Sequence, residues 1–156
     1  MILAGLDLSL TASGVCILES EGAKIIFRGK IIPEKMQGTE RLKYIRDGLM
    51  MIFAQLPLKP RQVFIEGYAF SKHDAYSHEL GEVGGVVKLL LHGLQIPFAI
   101  VPPSTLKKFV SGKGNAKKNL MLLAIYKRWG VEFGDDNEAD AYALARWGME
   151  YFAKGA

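Results

Sequence analysis

The chain has 156 residues, enough for one ordinary domain with its own core, and 49% of them are hydrophobic, which excludes a disordered chain. No apolar run approaches the roughly 20 residues of a membrane span, and the single cysteine, Cys16, excludes an internal disulfide. The net charge of +4 is uneven: residues 104–128 hold seven basic residues and no acid, which leaves 13 basic and 16 acidic residues elsewhere, a balance of −3. A basic segment on a slightly acidic body points to a polyanionic partner, nucleic acid ahead of a merely solvated helix face. The N-terminus MILAGLDLSL has no basic region ahead of its apolar residues, so it does not read as a signal peptide, and a cytoplasmic protein is expected.

Residues 2–8 (ILAGLDL), 14–19 (GVCILE) and 23–32 (AKIIFRGKII) read as three strands. Their short spacers predict hairpins, hence three antiparallel strands closed by Pro33. A helix is predicted from about Thr39, a plausible N-cap, to Gln55. Its apolar stripe is Leu42, Ile45, Leu49, Ile52, Phe53 and Leu56. QVFIE at 62–66 reads as a central strand, 74–92 as a helix and 97–101 as another strand. Helices are predicted over 104–110, 116–129 and 137–153. The order βββαβαβ followed by helices predicts an α/β fold: a mixed five-stranded sheet with helices on both faces. There is no repeat or linker, so the whole of 1–156 is expected to form one domain.

Four acids crowd GDDNEADAYALARWG, residues 134–148. Asp135-x-x-Glu138 matches a capping box, and acids suit a helix start. Asp140 shares a stripe with Leu144, Trp147 and Tyr151, which predicts that it faces the protein body. A carboxylate there needs a partner or a cation. Asp136 or Asn137 can share its face. Asp7 and Glu66 each end an apolar strand, and on neighbouring strands both would emerge at one edge of the sheet. Clustered carboxylates repel unless protonated or neutralised. Such oxygen ligands suit Mg²⁺ or Mn²⁺, and two ions about 4 Å apart can drive phosphodiester hydrolysis.

Other chemistries fit poorly. His73, His78 and His92 lack zinc-site spacing. There is no GxSxG elbow, and SGKGNAKK does not fit a P-loop. Cys16, inside VCIL, reads as a small core residue.

Together, GLDLSLTASGV, VFIEGYAF, LKKFVSGKGNAKK and DDNEADAYALA resemble the RuvC-type Holliday junction resolvases, in order and over almost the whole chain. The first and last motifs are most similar to versions carried by bacteriophages. The resemblance implies a ribonuclease-H-like fold and a homodimer that nicks two opposed strands of a four-way DNA junction with Mg²⁺ or Mn²⁺. It implies that Asp7, Glu66 and Asp140 are catalytic acids. Many members carry a fourth acid three residues before the last one, where this chain has Asn137. Asp136 is the preferred substitute and Asn137 its rival.

The resemblance also places Lys107, Lys113, Lys117 and Lys118 in the DNA-binding region. Phe70, or less favourably Tyr68, would stack on an unpaired base. The helix with Gly81, Gly84 and Gly85 would help form the dimer interface, although close packing on the sheet would equally explain its glycines.

Three other functions share some of these features. A related nuclease for other branched DNA or structured RNA would use the same acids. A non-catalytic junction binder would be consistent with Asn137. GLDLSLTASG loosely resembles a phosphate loop of sugar-kinase-like ATP-binding proteins, but that architecture needs two such domains.

Overall fold

The computed structural model describes residues 1–68 and 75–154. Its strands are β1 (Ile2–Asp7), β2 (Ser13–Glu19), β3 (Lys24–Ile31), β4 (Gln62–Glu66) and β5 (Phe98–Val101). Its helices are α1 (Gly38–Ala54), α2 (Ala75–Gly93), α3 (Pro103–Ser111), α4 (Lys118–Trp129) and α5 (Asp136–Lys154). A 3₁₀ turn over Glu21–Ala23 connects β2 to β3.

The strands form one sheet in the order β3-β2-β1-β4-β5. β1 and β3 pair antiparallel with β2, whereas β1–β4 and β4–β5 are parallel. Short hairpins allow the first arrangement, and helical crossovers are needed for the second. This is the expected mixed five-stranded sheet.

Strand alternation divides the interior into two layers. Ala4, Leu6, Val15, Ile17, Val63 and Ile65 face α1 and α2, which supply Ile45, Leu49, Val83 and Val87. Leu3, Cys16, Leu18 and Phe64 face the opposite layer of α3, α4 and α5. Each large aliphatic side chain removed from water contributes roughly 1.5–3 kcal/mol. Cys16 is buried here as a small core residue.

α1 departs from the predicted start. Gln37, in extended backbone, occupies the N-cap position and offers no side-chain cap, so Thr39 lies inside the first turn. α5 also departs from the predicted single stripe. It is buried nearly all round from Ala139 to Ala145, and Tyr151 at its far end is 57% exposed. Alternating alanines make this possible, because small side chains let the helix lie close on the sheet.

Candidate active site

Asp7 is the last residue of β1, and Glu66 is the last residue of β4. The parallel register pairs Leu6 with Ile65, so the two acids leave the sheet side by side. Alternation turns both toward the α5 face.

α5 supplies the third acid through two unusually close approaches. A Cβ on Gly5 would lie 2.0 Å from the Ala141 carbonyl oxygen, and one on Gly148 would lie 2.1 Å from the Phe64 ring. Glycine at both positions lets α5 seat directly on β1 and β4. Asp135 starts the helix by accepting a 3.1 Å hydrogen bond from the backbone N–H of Glu138, and it pairs with Lys30. Burial pushes the Asp135 carboxyl up, but the Lys30 ammonium and the backbone N–H groups outweigh it, and the net direction is down. Asp135 therefore has the capping role read from the sequence.

One turn further on, Asp140 reaches the two strand-end acids. Asp7, Glu66 and Asp140 each offer an oxygen within 4.8 Å of the others, an arrangement that could hold a metal ion. All three are half-buried. Burial, then the Glu66 and Asp140 charges, push the Asp7 carboxyl from 3.8 to about 9. Asp7 and Glu66 share a side-chain hydrogen bond. Burial raises Glu66, against that hydrogen bond and the Lys107 charge. Burial, with Glu66 and Asp136, raises Asp140 to about 7 despite Lys107 and Lys118. Burial is the largest cause at all three acids, and repulsion between carboxylates adds to it at Asp7 and Asp140.

The acids open into a cavity of about 600 Å³. Asp136, Lys107, Lys117 and Lys118 also line it. Asp136 lies outside the three-acid cluster and pairs with Lys118. Asn137 does not line the cavity; its backbone carbonyl lies against Gly14 of β2. Lys113 is exposed on the loop before α4, away from the lining.

Tyr68 lines the cavity, but its hydroxyl is buried against Gly84 of α2, in the space a Cβ there would take. It has no hydrogen-bond partner among the described residues. Gly84 thus serves packing within the chain, whereas Gly81 and Gly85 face open space. Phe70 and His73 lie outside the described residues.

Sequence reasoning missed the seating glycines and the Lys118–Asp136 pair. Gly5, inside an apolar strand two residues before Asp7, was the available signal, since such glycines mark close backbone approach.

A family model described as "Crossover junction endodeoxyribonuclease RuvC" matches residues 3–145. The chain is similar to the RuvC of Carboxydothermus hydrogenoformans, 32% identical over 153 residues that cover 96% of each protein. It is also similar to the RuvC of Brachyspira hyodysenteriae, 29% identical over 93% of this chain and 91% of the relative. In structure it resembles Thermus thermophilus RuvC, solved in complex with a Holliday junction substrate, with a TM-score of 0.84 and 21% identity. That match covers 99% of this chain and 96% of the other. The fowlpox virus Holliday junction resolvase matches with a TM-score of 0.65 and 14% identity, over 97% and 99%. A family match over most of the length, with the expected acids gathered at one edge of the expected sheet, gives one conclusion: the chain belongs to the RuvC family of crossover junction endodeoxyribonucleases.

Proposed function

We propose that the protein is a metal-dependent endonuclease that resolves four-way DNA junctions by paired, symmetric phosphodiester hydrolysis. The observation that carries this reading is the meeting of Asp7, Glu66 and Asp140 within 4.8 Å, beside a lysine-lined cavity, in a member of this family.

The donor set fits a hard divalent cation. It is all oxygen and half-buried, and carboxylate repulsion at Asp7 and Asp140 would be relieved by a cation. Asp7, Glu66 and Asp140 would hold Mg²⁺ or Mn²⁺, and Asp136, which lines the cavity where Asn137 does not, is the fourth ligand in this reading. A pair of bound ions supplies an activated water and charge stabilisation at the leaving oxygen. Lys107, Lys117 and Lys118 hold the phosphates beside the acids, and Lys113 extends the basic track outward. Tyr68 braces α2, which leaves base stacking to Phe70.

The nuclease acts as one domain and as a homodimer, because paired nicks need two sites. α2 offers a surface for the second copy: Gly81 and Gly85 are open, Leu89 is 72% exposed, and Phe98 and Ile100 are exposed beside it. No described helix is long and apolar enough to cross a membrane. In this reading the protein works in the cytoplasm, on junction DNA there.

The test is cleavage of a labelled four-way junction beside duplex, Y-shaped DNA and an RNA–DNA hybrid, each with Mg²⁺, Mn²⁺ or EDTA. Asp140→Asn is the control. Paired nicks on the junction alone are expected. Equal cutting of every branched DNA would indicate a broader debranching nuclease, and tight binding without cutting would indicate a junction binder.

A further inference from the structure

Lys118 is placed where its charge disfavours its own helix. It is the first residue of α4, Lys117 precedes it at the N-cap position, and the first turn has neither a side-chain cap nor an acid. Cations at a helix N-terminus oppose the macrodipole. A departure from a local rule beside a catalytic cluster points to a role in the site.

The compensating charge comes from another helix. The Lys118 ammonium pairs with Asp136, the first residue of α5. Asp136 is the cavity acid that stays outside the three-carboxylate cluster. The Lys118 side chain is 78% exposed, so the ammonium on its four-carbon stem is free to leave that carboxylate for another anion.

We infer that Lys118 is a displaceable counter-ion: it holds Asp136 in the metal-free site, and a divalent cation that takes Asp136 frees Lys118 for a substrate phosphate. The inference rests on the metal-dependent reading above. It makes metal and DNA loading reciprocal, since each ligand removes the other's competitor. Lys117 supplies the internal comparison. It carries the same charge and lines the same cavity, but the Asp136 pair is made by Lys118.

Two measurements test this exchange. In the first, Mn²⁺ is titrated by calorimetry into the DNA-free protein, with wild type, Lys118→Met and Lys117→Met compared. Lys118→Met should tighten Mn²⁺ by about fivefold and Lys117→Met by no more than about twofold, because only the former removes a direct competitor. Equal effects of the two substitutions, or no effect of either, overturn the exchange.

In the second, four-way-junction affinity is measured in EDTA for wild type, Asp136→Asn, Lys118→Met and the double variant. Asp136→Asn should raise affinity about threefold when Lys118 is present and leave it nearly unchanged in the Lys118→Met background. The same gain in both backgrounds overturns the exchange. Circular dichroism of each variant checks folding. Failure of the wild type to bind a junction would count against the functional reading alone, because the Mn²⁺ titration needs no DNA.

Discussion

Asp7 and Glu66 are neighbours across a parallel strand pair, and their carboxyls share a hydrogen bond. The fold has thus placed two acids where only one is readily ionised. A proton bridges the pair, and a cation that bound there would have to displace it.

Metal-free stability should therefore fall as pH rises. The sign follows from the native carboxyls, which keep their protons up to about 7 for Asp140 and about 9 for Asp7. The unfolded chain releases them near 3.8. Between those limits the unfolded state binds fewer protons, so each pH unit favours unfolding. Thermal melts in EDTA should drop by several degrees between about pH 5 and about pH 9. Asp7→Asn should flatten that fall and melt above wild type at the alkaline end. An unchanged pH profile would mean that the acids do not repel as described.

Metal binding should release protons for the same reason. At neutral pH Asp7 is protonated and Asp140 is near its midpoint. Mn²⁺ affinity should rise from about pH 6 to about pH 9. Calorimetry in buffers of differing ionisation enthalpy should show about one proton or more released per site near neutrality. A pH-independent affinity with no proton release would place the metal elsewhere.

The acids should differ in their consequences for cleavage. Asp7→Asn, Glu66→Gln and Asp140→Asn should each keep junction binding and lose cleavage by about 100-fold or more. Asp136→Asn should lose about tenfold or more, whereas Asn137→Ala should stay near wild type. Asn137 does not line the cavity, and its backbone rather than its side chain meets Gly14. Rates on a labelled junction decide the matter. A larger loss for Asn137→Ala than for Asp136→Asn would reverse the assignment of the fourth ligand.

Much of this site was legible before the fold was known, and the reasons are physical. Asp7 and Glu66 interrupt apolar strands at their ends, an anomaly that burial alone does not explain. Hairpin spacing early in the chain and helical spacing later fixed which strands could pair, and β4 occupies the predicted 62–66. The choice between Asp136 and Asn137 was not legible, because helix phase depends on where α5 begins and how it sits on the sheet. Thr39 was misplaced as an N-cap because the chain enters α1 from extended backbone at Gln37. The Lys118–Asp136 pair joins two helices packed late in the chain, and no periodicity reports such a contact.

Gly5 should tolerate no larger residue. A Cβ there meets the Ala141 carbonyl at 2.0 Å and the Ala145 nitrogen at 2.8 Å, and backbone atoms cannot swing aside. Gly5→Ala must lift α5 from β1, carrying Asp140 away from Asp7. Overpacking of this kind costs about 1–3 kcal/mol, occasionally more. Denaturant unfolding should show that loss, and cleavage by the remaining folded fraction should fall as well. Wild-type stability and rate in Gly5→Ala would mean that α5 does not depend on this contact.

Dimerisation should depend on the open side of α2. Gly84 is already occupied by Tyr68, but Gly81 and Gly85 leave a shallow surface, with Leu89 projecting from the same helix. Phe98 and Ile100 of β5 face the same layer in register with Val63 and Ile65, yet both are exposed. Large apolar side chains left in water on this side of the protein fit a surface that a partner would cover. A second copy related by a two-fold axis would cover this face with the same face. Leu89→Glu places like charges against each other across such an axis. Sedimentation should show wild-type dimers and Leu89→Glu monomers, the latter still able to bind Mn²⁺. A Leu89→Glu dimer of unchanged affinity would assign the interface to another face of the protein.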